Sequence, residues 1–422
     1  MNPRGFRRQL RQVSNVAGNR VLVAERWLLN LASNNYLGLS EDERVQDAAI
    51  QAIRRWGTGS GSSPLLSGFT AVHQALADSL GDWKSGACQG DVHAHTNGNQ
   101  SQVSPIAKSN TRALLFPCGY SANLAALTTL LETDSQVFAD RKNHASLLDG
   151  LRLAKADRPE MTVRYYRHRN FSDLERLLQS SLPHRPRWIV TDSVFSMDGT
   201  CSRPSDLARL AEEYDAQLLV DEAHATGVMG EHGAGLFSFS NLATWPGLWK
   251  NGEPRFCVVG TLSKALASIG GFVVGSAEWM ERLIQDGRPM IYSTSLPAGA
   301  VAAAHMSVQI AREESWRRDK LHQHVTTLHR ELTQQGWDTI GDRDAPLLAV
   351  VAGDHHAATS LSDALLDFGI WAPAIRPPTV KPLECRVRLS PTATMSDIEI
   401  ESVVQAFGAL AKQLGKDHAH EK

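Results

Sequence analysis

The chain has 422 residues, 42% hydrophobic and 21% charged, with a formal net charge of −2. That balance is ordinary for a soluble globular protein, and it offers no basic surface for nucleic acid and no apolar run long enough to span a membrane. The length exceeds what one hydrophobic core usually supports, so two domains are expected, and five scattered cysteines without a CxxC pair fit a reducing, cytoplasmic setting better than a disulfide framework.

The first residues are basic (Arg4, Arg7, Arg8, Arg11), with no acid before Glu25 and no apolar core of a secretory signal. They read as a short solvated or substrate-facing helix at the head of an N-terminal segment, 1–45. A hairpin-like stretch follows, Arg20–Ala24 and Arg26–Leu31, and then a turn-rich loop, Ala32–Ser40. A helix is predicted over Glu41–Trp56 with Ser40 as its cap. Gly57–Ser63 is a flexible, hydroxyl-rich loop, and His73–Trp83 is helical with Leu76 and Leu80 on one face.

Residues 85–110 are polar and nearly free of large apolar side chains, so they read as an exposed insertion. His93 and His95 lack further ligands, and no metal site is expected there. From Thr111 strands and helices alternate. Strands are predicted at Ala113–Phe116, Val137–Asp140, Val163–Tyr166, Trp188–Thr191 and Gln217–Val220, and helices after Gly119, over His144–Ala154, Asp173–Leu178 and Pro204–Tyr214. This rhythm predicts an α/β fold: a large, mostly parallel sheet covered by helices, over residues 46–290, with ligands at the carboxyl ends of its strands. Beyond 291 the pattern changes to long helices, Ala298–Ile310 and Trp316–Gln335, then short strands at Leu347–Val351 and Arg386–Leu389, and a last helix from Asp397. That reads as a smaller α+β domain, 291–422.

Two stretches carry chemistry. In Phe256–Gly275 an apolar strand ends at Gly260, a turn with Thr261 and Ser263 leads to Lys264, and a glycine-rich strand follows. A lysine at a sheet edge, shielded from water, suits covalent capture of a carbonyl, and the neighbouring hydroxyls suit a phosphate. Taken alone, this turn reads equally well as an ordinary surface lysine. In Leu219–Val228, Asp221 directly follows a buried strand and His224 comes three residues later. A carboxylate there pairs with a protonated pyridine nitrogen, and a histidine beside it reaches a ring oxygen; a helix cap and a core histidine are the plain alternatives.

The order strand–Asp221-x-x-His224, strand–Thr261-x-x-Lys264, glycine-rich strand resembles the fold-type I pyridoxal-phosphate (PLP) enzymes, and more narrowly the α-oxoamine synthases. Ser33–Leu39, Ser67–His73, Asn143–Leu147, Val194–Gly199, Asp221–Gly227, Gly260–Lys264 and Tyr292–Ser295 carry that resemblance in family order over nearly the whole chain. It implies pyridoxal 5'-phosphate as cofactor and a homodimer with shared active sites. It implies Lys264 as the covalent anchor and proton carrier, Asp221 as partner of the pyridine nitrogen, and His144 stacked on the ring. His224 and Ser196 lie on the ring's oxygen side. Gly119, Tyr120 and Thr261 face the phosphate, and Thr294 reaches the phosphate of the neighbouring subunit. Asn34 lies near the substrate, and Arg388 holds its carboxylate. Ala374–Val380 resembles the branch that joins L-alanine to pimeloyl-CoA or pimeloyl-carrier protein, with Thr379 touching substrate and Arg11 meeting the acyl chain. The branch that joins glycine to acetyl-CoA is the alternative within the family, and a non-catalytic partner subunit the alternative outside it. Residues 85–110 and Phe237–Pro254 exceed the family pattern, and both are expected to be surface loops.

Overall fold

The computed structural model describes residues 10–86 and 111–415. The insertion expected at 85–110 and the N-terminal helix expected before Arg11 fall almost wholly outside those residues. The chain forms two compact units. One comprises Leu39–Phe195 and Cys201–Glu314; the other comprises Met1–Gly38, Ser196–Thr200 and Ser315–Lys422. The division falls at Glu314 rather than at residue 291. The physical reason is the apolar helix Ala298–Glu313, which packs on the helices Glu43–Trp56 and Ala71–Ser85 of the larger unit. The N-terminal segment, in turn, belongs to the smaller unit: its strand Arg26–Asn30 pairs in parallel with Ile370–Trp371.

The larger unit is built on a seven-stranded sheet. In spatial order its strands are Thr111–Phe116, Gly271–Ser276, Phe256–Thr261, Ala216–Asp221, Arg187–Asp192, Gln136–Asp140 and Thr162–Tyr166. Gly271–Ser276 is antiparallel to both neighbours, and the other six strands run the same way, as the alternating pattern predicts. The central strands are buried at every or nearly every position, which is why they read as continuous apolar runs rather than alternating ones. One apolar layer joins Leu127, Leu130, Val137, Leu147, Leu151, Trp188 and Val190 between sheet and helices.

Two local expectations change. The helix after residue 40 is Glu43–Trp56, and its cap is Asp42, whose carboxylate accepts the Arg44 N–H at 3.1 Å; Ser40 lies in a preceding 3-10 turn. Phe237–Pro254 is not a surface loop throughout. Phe237, Phe239, Leu242 and Leu248 are buried, and the Phe239 ring packs 4.4 Å from Phe256 on the sheet. A stretch with that many large apolar side chains gains more from burial than from exposure.

The smaller unit carries two four-stranded sheets. In one, the hairpin of Arg20–Val23 and Arg26–Asn30 is joined by Asn15–Ala17. In the other, Leu348–Gly353 pairs antiparallel with Cys385–Leu389. The helix Ser315–Gln334 buries Leu321, Val325, Leu328 and Leu332, the row expected from its spacing.

Candidate active site

In the larger unit the candidate residues gather along the carboxyl edge of the sheet. Asp221 is the last residue of its strand, buried, and registers with Val259 on the next strand, which runs two residues further to Thr261 and then turns to Lys264. Lys264 is half-buried at the head of that turn, less enclosed than a fully desolvated lysine. Its charge acts on both His144 and Asp192, so the lysine, the histidine and the acids at the strand ends share one crevice.

Asp221 is aimed by two donors. Asn123 Nδ2 donates to its Oδ2 at 2.6 Å, and the Ala223 N–H donates to its Oδ1 at 2.8 Å. Its backbone carbonyl accepts from Ser193 Oγ and Ser193 N–H. These donors fix the direction in which the Asp221 carboxylate points. His224 follows in the same turn, also buried.

His144 caps the helix Ala145–Ala156. Burial, with the Lys264 charge acting in the same sense, pushes its imidazole below its ordinary range, against the opposing pull of Asp221. The ring is therefore neutral at pH 7, which suits stacking on a cationic ring better than an imidazolium does. Its backbone N–H donates to Asp192 Oδ2 at 2.7 Å. Asp192 stands opposite Asp221 on the adjacent strand, and burial beside that second acid raises its carboxyl well above the usual range. Burial beside a second acid makes ionisation of Asp192 costly.

At the other end of the crevice, Gly119 and Tyr120 open the helix Gly119–Leu130. A Cβ on Gly119 would stand 3.2 Å from Thr261 Cβ, so the helix N-terminus abuts the Thr261 hydroxyl. Thr261 Oγ1 in turn lies 2.7 Å from Ser263 Oγ. The helix N-terminus and the Thr261 and Ser263 hydroxyls line a candidate anion cradle, with Thr261 Oγ1 donating to the Gly270 carbonyl at 2.9 Å. Cradle, carboxylate and lysine together fit the phosphate, ring nitrogen and aldehyde of PLP. Thr294 is exposed and lines a cavity of about 700 Å³ with Leu65, Phe69, His73 and Leu296. Its segment is anchored by Ser60 Oγ donating to the Ser295 carbonyl at 2.6 Å and by His73 Nε2, 2.9 Å from the Leu296 carbonyl.

In the smaller unit the structure brings Arg388, Asn34 and Ser196 together. Arg388 Nη2 donates to Asn34 Oδ1 at 2.6 Å and Nη1 to the Ser196 carbonyl at 3.2 Å. Tyr36 Oη donates to the same Asn34 oxygen at 3.2 Å. Arg11 lines a separate, open groove with Arg26 and Leu366, and Thr379 is exposed in the loop after the cis Pro377–Pro378 bond.

Sequence reasoning assigned no role to Asn123, Ser146 or Asp192. Asn123 lies one helical turn past Gly119, on the same face, and Asp192 ends a buried strand as Asp221 does; those two positions were the available signals.

The model of the class I and II aminotransferase family matches residues 26–407. A protein of Bacillus subtilis (strain 168) named 8-amino-7-oxononanoate synthase 2 is 37% identical over 383 residues, 91% of this chain and 88% of its own. An 8-amino-7-oxononanoate synthase of Nitrosococcus oceani is 37% identical over 386 residues, 90% of this chain and 92% of its own. A solved serine palmitoyltransferase from S. paucimobilis, with PLP–myriocin bound, superimposes with a TM-score of 0.83 at 26% identity, over 96% of this chain and 93% of that one.

Proposed function

The chain belongs to the class I and II aminotransferase family, with 8-amino-7-oxononanoate synthases among its relatives, and from that premise we propose that it is a PLP-dependent acyltransferase joining L-alanine to a pimeloyl thioester. The products are 8-amino-7-oxononanoate, carbon dioxide and the free carrier thiol, in biotin biosynthesis. The observation that carries this reading is the crevice in which Asp221, His144 and Lys264 meet a helix-terminal anion cradle.

Bound PLP supplies the electron sink that lets an amino acid lose a Cα proton and attack a thioester carbon. The chain's own residues do the rest. Asp221 holds a proton at the ring nitrogen. Lys264 Nζ would hold the cofactor's aldehyde carbon and would carry the proton taken from the amino acid's Cα. His144 covers the ring as a neutral imidazole, and His224 and Ser196 serve its oxygen. Gly119, Tyr120 and Thr261 bind the phosphate with backbone N–H and hydroxyl groups.

Arg388 takes the amino acid's carboxylate, since its planar fork is already oriented by Asn34. Thr379 and Arg11 serve the acyl substrate. Thr294 reaches the phosphate of a second copy in a homodimer. Exposed Leu65, Leu66, Phe69 and Tyr292 near that cavity support a shared interface.

Turnover of the PLP-loaded protein with alanine or glycine, each with pimeloyl-CoA or acetyl-CoA, tests the assignment. Preference for alanine with pimeloyl-CoA is expected, and preference for glycine with acetyl-CoA overturns it. Sedimentation of the loaded protein as a monomer at micromolar concentration overturns the dimer.

A further inference from the structure

The two residues assigned to the face and the nitrogen of the cofactor ring are joined by hydrogen bonds through two side chains without an assigned role. Asn123 Nδ2 donates one hydrogen to Asp221 Oδ2 at 2.6 Å and the other to Ser146 Oγ at 2.9 Å. Ser146 Oγ, its lone pair occupied, lies 2.7 Å from His144 Nδ1. The Ser146 backbone N–H also points at His144 Nδ1, at 3.3 Å. A backbone N–H only donates, so Nδ1 is the acceptor, the Ser146 hydroxyl donates to it as well, and the ring hydrogen sits on Nε2.

The rest of the neighbourhood fixes the direction of this chain of bonds. Asp221 Oδ2 accepts from Asn123, which orients the amide with its nitrogen toward the acid. Asn123 Oδ1 is buried with no partner among the described residues, while both amide hydrogens are committed. A group with that asymmetry is held for its donors. The backbone of His144 is fixed separately by Asp192 Oδ2, and Asn143 is fixed by donating to the Val190 carbonyl at 2.8 Å. The ring's torsion and tautomer are left to Ser146.

We propose that Asn123 and Ser146 are positioning residues, a relay from Asp221 to His144 that holds the histidine ring in its Nε2–H form over the cofactor and aims the Asp221 carboxylate at the pyridine nitrogen. The inference rests on the PLP chemistry of the family and does not depend on the acyl substrate. Donors at Nδ1 compete with a proton for the same lone pair, so the relay opposes protonation of His144 against the pull of Asp221 and Asp149, while Lys264 and burial act in the relay's favour. A cationic imidazole on a cationic pyridine ring is thereby avoided.

The test uses PLP-loaded full-length protein and reads hydrogen–deuterium exchange at the substrate's Cα, with no acyl donor present, as a function of pH. Ser146→Ala should bind PLP within about threefold of the parent, lose about tenfold or more in exchange rate, and move the acidic limb of the profile to higher pH. In 15N spectra of histidine-labelled protein the His144 signal should lose its single Nε2–H tautomer. Ser146→Thr keeps a hydroxyl and should recover exchange to within about threefold. Unchanged rate and acidic limb in Ser146→Ala overturn the proposal, and so does a Ser146→Thr variant as impaired as Ser146→Ala, which marks packing as the cause. Exchange is measured first on the unsubstituted protein with both alanine and glycine. A parent that exchanges only glycine overturns the alanine assignment, and the same Ser146 criteria, read with glycine, then support or overturn the relay.

Discussion

The Asp221 crevice in the larger unit and the Arg388 cluster in the smaller one solve the same problem with opposite charges. Each holds an ionic side chain in a largely buried setting, and each aims it with a carboxamide. Asn123 presents its nitrogen to the acid, and Asn34 presents its oxygen to the guanidinium. The difference lies in what else is nearby. Asp221 has a second acid at its side, Asp192, whose own ionisation is opposed by burial and by that neighbour. Arg388 donates to neutral oxygens, whereas Arg386, two residues before it on the same strand, is paired with Asp198. Arg386 is therefore a structural ion pair, whereas the hydrogen bonds of Arg388 to neutral oxygens support its proposed role toward a substrate carboxylate.

The largest expected effect comes from removing the anion. Asp221→Ala should lower turnover on the order of 10²–10³-fold, because a preorganised charge at the reacting ring is lost. Single-turnover kinetics on PLP-loaded protein check it, and a loss below about tenfold breaks the comparison. Next is the cation. Arg388→Lys keeps the charge but loses the two-pronged fork, so KM for the amino acid should rise about tenfold or more, with kcat less affected. A purely lower kcat with unchanged KM places Arg388 elsewhere in the cycle.

Smaller still is the hydroxyl behind Asn34. Tyr36→Phe removes one hydrogen bond to Asn34 Oδ1, worth about 1 kcal/mol, and should raise the same KM about fivefold. Last is Asp192→Asn, read in stability rather than turnover. Burial raises the Asp192 carboxyl above its ordinary value of 3.8 in the native state, so this acid costs stability as pH rises past that point. Asp192→Asn should therefore raise the thermal midpoint at pH 7 and bring little gain near pH 4. The opposite pH trend breaks this reading of Asp192.

Histidine burial gives the parent protein its own trend. His73, His144, His305 and His324 are all held below the ordinary value of 6.5 by burial. The unfolded chain binds protons there that the native state refuses, so stability should fall as pH drops through about 6.5. Urea midpoints at pH 7.5 and 5.5 check the sign.

How much was legible follows from the range of the forces involved. The strand–helix alternation, Asp221 at a strand end, Lys264 after the next strand and the small-residue turns are local patterns, set by burial and backbone geometry within a few residues, and all of them can be read along the chain. Which unit a segment joins is not local. The helix Ala298–Glu313 joins the larger unit and the hairpin at Arg20–Asn30 the smaller one because of apolar faces that meet only after folding. Phe237–Pro254, whose place between motifs suggests a surface loop, is buried by apolar side chains that meet the sheet at Phe256. Most of all, tertiary structure decided the relay. Asn123, Ser146 and Asp221 are 23 and 75 residues apart in succession along the chain, and a hydrogen bond is decided over tenths of an ångström, a scale at which residue type and spacing carry no information until the strands are in register.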